Sequence, residues 1–267
     1  MKRIFHSIAL VMVGAILSAP AGAADVSGPQ DLPSGGQAMV VRVVDGDTVV
    51  LDDGRQVRLV GIQAPKLALG RANFSTWPLA DEAKAYLETL LQGTAVELRL
   101  APQAMDRHGR VLAHVMRGGD GLWLQGAMLT AGLARVYTFP DNRVLAAPML
   151  ALERQARSDA TGIWGLPYYA LRNAENVRHD VGSFQIVEGR VMAAARIKNR
   201  IYLNFGADWR SDFTVKLSTR DEKAFEKSGI DLLRLEGARV RVRGWIKSEN
   251  GAMIELDHPE RLEVLTP

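Results

Sequence analysis

Two carboxylates, Asp45 and Asp47, stand two residues apart in VVDGDTVVL, either side of a glycine in what reads as a hairpin turn. Just downstream, VRLVGIQAPK reads as a strand running into a turn that presents Arg58, Gln63 and Lys66. Paired carboxylates suit a cation. The chemical question is whether Arg58, Gln63 and Lys66 complete a catalytic metal site with those aspartates, or stand where such a site used to be. Plainer roles compete, because aspartate is an ordinary turn residue and an arginine on an alternating strand can simply face solvent.

The elements that must position these residues read as β structure. AMVVRVV, TVVL and QVRLVGI are short Val-rich runs separated by DGD and DDGR turns. PLADEAKAYLETLLQG then carries Leu79, Ala83, Leu87, Leu90 and Leu91 at helical spacing, with Gly93 where a helix would stop. TAVELRL and RVLAHVM restore the strand pattern. Five strands with a helix after the third is the order of an OB-fold barrel. Two further helical patches, near Leu122 to Ala131 and Met149 to Ser158, would pack against it.

From Phe184 the pattern starts again: FQIVEGRVMAA, RIYLNFG and DFTVKLS, a capped helix in TRDEKAFEKSG, then ARVRVRGWIKS, AMIEL and RLEVL. The expected fold class is therefore mainly β with helices (α+β), an N-terminal five-stranded OB-fold barrel with packed helices plus a second, smaller OB-like barrel. The expected organisation is a leader at 1–23, a mobile Pro/Gly/Ser-rich lead-in at 24–37, a first domain at 38–166, a linker at 167–183 and a second domain at 184–267.

The leader assignment rests on Lys2 and Arg3, an apolar run from about Ile8 to Leu17, and small residues Ala21 to Ala23. That order is a secretory signal cleaved after Ala23, and the run is short of the roughly 20 residues a membrane span needs. An exported protein, periplasmic or secreted, is expected. The chain has no cysteine, which removes disulfides, thiol catalysis and zinc–thiolate sites. Without the leader, 31 Lys and Arg face 30 Asp and Glu, so the overall charge is no argument for nucleic acid. Only local clusters of Arg and Lys could make counterion-releasing phosphate contacts.

VDGDT at Val44 to Thr48, RLVGIQAP at Arg58 to Pro65, DRHGRVLAHV at Asp106 to Val115, AGLARVY at Ala131 to Tyr137 and GIW at Gly162 to Trp164 follow one another over Ala38 to Gly165. In this order the segment resembles the staphylococcal nuclease (thermonuclease) family. The resemblance implies an OB-fold with calcium-dependent phosphodiesterase activity on DNA and RNA. It implies a metal-binding aspartate at Asp47, a first catalytic arginine at Arg58 and a second at Arg110. A guanidinium suits both positions because its fork grips two phosphate oxygens and never loses its charge. Tyr137 and Phe139 match positions where the family sets aromatic side chains around the nucleotide.

The same resemblance exposes two departures. Family members carry an aspartate where this chain has Gln63 and a glutamate where it has Lys66. Calcium takes about six to eight oxygens and gains affinity from ligand charge. An ammonium about 4 Å from a divalent ion costs on the order of 8 kcal/mol at an effective dielectric near 20. Tight calcium binding is therefore not expected, and three outcomes stay open. Lys66 pairs with Asp47, leaving Arg58, Lys66 and Arg110 as a phosphate-binding cluster. Alternatively a metal binds through Asp45 and Asp47 with Lys66 swung outward. The third, Lys66 as a base, is disfavoured because neighbouring carboxylates stabilise its charged form.

His108 is a further acid or base candidate, against the plainer reading of a surface turn histidine. The loop from Leu67 to Trp77, with Arg71, Phe74 and Trp77, borders the same cleft. In the second half, Arg239, Arg241 and Arg243 alternate on one strand, and Phe205, Trp209, Phe213 and Trp245 could offer stacking surfaces for single strands. The leading expectation is an exported protein that binds nucleic acid, or another phosphodiester ligand, through its backbone, with calcium-dependent hydrolysis weakened or lost. An active metal-dependent nuclease and a non-catalytic envelope protein–protein adaptor are the alternatives.

Overall fold

The computed structural model describes residues 28–265, and the leader at 1–23 lies outside them. In chain order the first half contains β1 (Ser34–Asp45), β2 (Thr48–Leu51), β3 (Gln56–Leu59), β4 (Ile62–Gln63), α1 (Ala80–Leu91), β5 (Ala95–Met105), β6 (Val111–Arg117), α2 (Leu124–Thr130), β7 (Arg135–Val136) and α3 (Ala146–Ser158). Strands β1-β2-β3-β6-β5 close into a barrel, with β3 and β6 as its one parallel pair, while β4 and β7 pair beside it. Alternation fills the interior: Val49, Leu51, Val57 and Leu59 are buried, as are Ala83 and Leu87 of α1 one helical turn apart. Asp81 and Glu82 sit in the first turn of α1, where the helix dipole favours negative charge.

The second half contains β8 (Arg172–Asn173), β9 (Phe184–Arg190), β10 (Ala193–Ile197), β11 (Arg200–Asn204), β12 (Thr214–Ser218), α4 (Glu222–Lys227), β13 (Arg239–Ser248), β14 (Ala252–Leu256) and β15 (Leu262–Leu265). Its sheet runs β10-β11-β12-β14-β13-β9-β8, with β15 also on β13. Strands β9 and β10 are two halves of one bent strand. At the bend Val191 N–H donates to Ala238 of the β13 side and Met192 N–H to Asn204 of β11, so the ring returns on itself through the chain. The first barrel does the same with β1, which pairs β5 along its first half and β2 along its second. A parallel pair, β12 with β14, recurs in the matching place. The two halves thus share strand order as well as element order.

Three expectations need correction. The lead-in is not wholly mobile: Leu32 is buried, and Ser34 and Gln37 pair with Arg99 and Glu97 of β5. Its glycine reads as flexibility in sequence but serves close approach, since a Cβ on Gly35 would lie 2.7 Å from the Leu100 side chain. The 167–183 segment is not a free linker either. Tyr169 donates its hydroxyl to the Pro78 carbonyl at 2.8 Å, β8 pairs with β9, and Ala174 and Val177 join the second core. At α4 the N-cap residue Asp221 makes no side-chain cap bond. Among the described residues no helix is long and apolar enough to cross a membrane.

Candidate functional site

The Asp45–Asp47 turn is pressed onto α1. A Cβ on Gly46 would meet Ala64 at 2.7 Å and Ala83 at 2.8 Å, so only glycine lets the turn sit this deep. Asp47 is thereby fully buried, and its carboxylate is saturated with donors. Oδ2 accepts from the Ala64 N–H at 2.8 Å and from Lys66 Nζ at 2.6 Å. Oδ1 accepts from Lys66 Nζ at 2.7 Å and the Thr48 hydroxyl at 3.2 Å, and the Arg58 guanidinium forms an ion pair with it, Nη1 at 2.7 Å. Lys66 also reaches Asp45 Oδ2 at 3.4 Å. Of the three arrangements open from sequence, this is the Lys66–Asp47 pair.

Arg58 serves the fold as much as the cleft, for it also donates to the carbonyls of Asp47 at 3.1 Å and Ile62 at 2.7 Å. Gln63 turns away from the aspartates: its Oε1 accepts from Arg135 Nε at 3.0 Å and Nη2 at 2.7 Å. Arg110 is held by Asp106 within its own turn, Nε to Oδ2 at 2.7 Å. His108 is exposed beside Arg107, with its Nε2 3.1 Å from Arg107 Nε. All of Asp45, Arg58, Lys66, Arg107, His108 and Arg110 line one cleft of about 1090 Å³. Among the described residues no cluster of three or more His, Asp or Glu could hold a metal ion.

Charge follows from these contacts. Burial alone would raise the Asp47 carboxyl, but Arg58 and Lys66 together outweigh it and hold the group well below the ordinary carboxylate range. Asp45 goes the other way, raised by burial first and then by the charge of Asp47, with Lys66 only partly opposing. Burial also lowers Arg135, to about 10.

The family model for staphylococcal nuclease homologues matches residues 56–165. A thermonuclease of Staphylococcus hyicus is 30% identical over 128 residues, 47% of this chain and 73% of its own length. An uncharacterized endonuclease of Escherichia coli is 33% identical over 129 residues, 47% of this chain and 74% of its own. This chain belongs to the staphylococcal nuclease family. A protein named ParB from Escherichia coli is also similar, 30% identical over 162 residues, 54% of this chain and 82% of its own.

In this staphylococcal nuclease homologue the second barrel is part of the cleft's surroundings. Tyr137 and Phe139 both line the cleft, edge to face with ring centroids 5.1 Å apart. Tyr137 also packs on Phe184, and its hydroxyl accepts from Trp245 Nε1 at 3.0 Å. Of the Leu67–Trp77 loop, Arg71 lines the cleft, stacked 3.8 Å over Phe74. Phe74 stacks on Trp77 at 6.1 Å, and Trp77 in turn packs on Tyr168 outside the loop, also at 6.1 Å.

The stacking and arginine expectations for the second half change accordingly. Phe205 and Phe213 are core residues, paired at 4.9 Å. Trp209 is exposed beneath Arg210, and Trp245 alone of the four lines the cleft. Arg239 and Arg241 bond Glu188 across the sheet. Arg243 is fully buried against Glu153 of α3, Nη1 to Oε2 at 3.0 Å and Nη2 to Oε1 at 2.9 Å, with Glu263 at 2.9 Å. Alternation places all three on one face, but that face passes from solvent onto the first domain.

Two residues escaped the sequence reading. Arg135 lies inside AGLARVY on the two-residue strand β7, both residues of which are buried, and so short a strand gives alternation nothing with which to mark an inward arginine. Glu153 sits among polar neighbours on an amphipathic helix and reads there as solvated.

Proposed function

We propose that the cleft binds the phosphodiester backbone of nucleic acid, single strands before duplex, and that calcium-dependent hydrolysis is weakened or lost. The observation that carries this reading is the Lys66 ammonium 2.6 and 2.7 Å from the two oxygens of Asp47. A carboxylate offers about four lone-pair sites. Those of Asp47 are taken by Lys66, Thr48 and Ala64 with the Arg58 guanidinium ion-paired beside them, and the Gln63 oxygen is engaged by Arg135. That donor set does not fit the calcium ion of the family, which asks for about six to eight oxygens.

What the cleft offers instead is positive charge around a cavity. Its lining carries Arg58, Lys66, Arg71, Arg107 and Arg110 against the carboxylates of Asp45, Asp106 and Asp141. A concave surface with a cationic excess concentrates phosphate and releases counterions on binding. Arg110 suits direct contact with a phosphate because its existing partner, Asp106, is itself partly exposed. Incubation of single- and double-stranded DNA and RNA, with calcium and with a chelator, tests the reading. Binding with weak or absent cleavage in both conditions is expected. Robust cleavage abolished by the chelator would favour an active metal-dependent endonuclease, of which the names of the thermonuclease and endonuclease relatives support the nuclease part. Absence of binding to every oligomer would leave the adaptor reading.

The same proposal puts the protein outside the cytoplasm, periplasmic or secreted, on the strength of the 1–23 leader. N-terminal sequencing of the protein from its source should begin at Ala24. Retention of Met1 on the accumulated protein would overturn export.

A further inference from the structure

We propose that Trp245, supplied by the second barrel, is a base-stacking residue of the first barrel's cleft, so that the ligand site is shared between the two domains. The inference rests on the nucleic-acid reading above and names the part of the ligand that the cationic cluster leaves unread. Trp245 and Phe139 both line the cleft, and each is close to half exposed, at 44% and 45%. Large aromatic side chains left half-exposed beside a cationic cavity are poor solvent-facing surface and good platforms for a nucleobase.

Support comes from how firmly Trp245 is placed. Its Nε1–H donates to the Tyr137 hydroxyl at 3.0 Å, and Phe184, its β-pairing partner on β9, packs edge to face on the Tyr137 ring at 4.8 Å. Two residues before it on β13, Arg243 is clamped to Glu153 of the first domain. The strand therefore cannot swing away from the cleft without breaking a buried ion pair. Tyr137 becomes the buttress, and Phe139 and Trp245 the surfaces left to the ligand.

The cleft, about 1090 Å³, stands at the upper end of the roughly 300–1,000 Å³ of ordinary ligand pockets and has room for a nucleotide against the aromatic pair. A base can reach an aromatic platform only when it is unpaired, so this geometry selects single strands.

Fluorescence-anisotropy titration of the full chain with a labelled thymidine octamer and with an abasic octamer of the same backbone separates stacking from phosphate contact. Trp245→Ala should weaken octamer binding on the order of tenfold, the fold-change expected for one stacked base, and leave abasic binding unchanged. Trp245→Phe should restore most of the octamer affinity although it lacks the Nε1–H bond to Tyr137, whereas Trp245→Leu, apolar but without a π face, should not. Unchanged octamer affinity in Trp245→Ala, with Arg110→Ala still weakening both oligomers, would overturn the stacking proposal and leave the phosphate reading standing. Equal losses on both oligomers, or a duplex bound as tightly as the octamer, would also overturn it. Binding of neither oligomer by the unaltered protein would remove both readings. If Trp245→Ala lowers the melting point, Trp245→Phe against Trp245→Leu carries the comparison at near-native packing.

Discussion

Asp47 and Glu153 are both fully buried carboxylates, and the chain solves the same electrostatic problem at each. Each accepts one backbone N–H, from Ala64 at 2.8 Å and from Val136 at 2.6 Å. Each is flanked by two cations, Arg58 and Lys66 in one case, Arg243 and Arg157 in the other. Burial pushes both carboxyls up and the cations outweigh it, so both are held below their ordinary values. They differ in what the cations face. Lys66 keeps a 20% exposed side chain at the cleft, whereas Arg243 is 2% exposed and sealed between the barrels. A buried carboxylate with two cations is thus a site where its cations meet a cavity and a latch where they meet protein.

The largest effect should follow from breaking the latch. Arg243→Ala leaves Glu153 with Arg157 alone in a place water does not reach, and removing one partner of a buried pair costs about 3–5 kcal/mol. Denaturant unfolding should show that loss, with the transition splitting as the second barrel undocks. Replacing both partners by apolar residues of similar volume should recover much of it, because the desolvation penalty of the pair goes too. A loss below about 1 kcal/mol for Arg243→Ala would place this cluster among ordinary surface ion pairs.

At the cleft the corresponding break is a gain. Gln63→Asp with Lys66→Glu returns two carboxylates and removes the ammonium from Asp47. Calorimetry should then register calcium with a dissociation constant on the order of 10⁻⁴–10⁻³ M, against none measurable before. Arg135 sharpens this test, since it already grips the Gln63 side chain through two bonds and will compete for a carboxylate placed there. No gain in the double variant, followed by a gain once Arg135→Leu is added, would identify that arginine as the residue that closes the site to metal.

Two arginines of the cleft, Arg58 and Arg110, should separate next. Arg58 donates to Asp47 and to backbone carbonyls of its own barrel, so Arg58→Ala should lower the melting point as well as any oligonucleotide affinity. Among the described residues the Arg110 side chain bonds Asp106 within its turn, so Arg110→Ala should leave stability within about 0.5 kcal/mol. It should still flatten the salt dependence of binding by a slope change of about one. Unaltered binding in Arg110→Ala beside a depressed melting point would remove phosphate from the role of this residue.

The first barrel was legible because a period-2 pattern and a helix at the right interval leave few alternatives, and because VDGDT, RLVGIQAP and DRHGR keep their order. Even the Lys66–Asp47 pair follows from charge, once the two residues are known to be neighbours. The latch was not legible. Alternation assigns Arg239, Arg241 and Arg243 to one face of β13, but nothing in a period of two says where that face stops meeting water and starts meeting α3. Glu153 hides for the complementary reason, a charge among the charges of ALERQARS. Interfaces between domains are more polar than cores, so hydropathy does not mark them. For the same reason Trp245 reads as one more aromatic strand residue, although the fold brings it to a cleft built by residues about a hundred positions earlier, such as Tyr137.

The smallest effect concerns Asp45, the one carboxylate of the turn that its surroundings disfavour. Burial first, then the charge of Asp47, raises its carboxyl above the ordinary value, and Lys66 and Arg58 only partly oppose them. A raised folded pKa contributes stability that is fully present below the unfolded value, about 3.9, and is lost as pH rises through the folded one. At neutral pH the ionised Asp45 therefore costs stability, and Asp45→Asn should raise the melting point by about 1–2 °C. An asparagine oxygen can still accept the Asp47 N–H that Asp45 Oδ1 accepts at 3.1 Å, so the turn keeps its shape. The gain should shrink as pH falls toward the unfolded value, because the native carboxyl is then already neutral. A lower melting point at neutral pH would mean that the 3.4 Å contact with Lys66 outweighs burial. Asp45 would then be a second anchor holding the ammonium over Asp47, and the lysine's place in the cleft would depend on both aspartates of the turn.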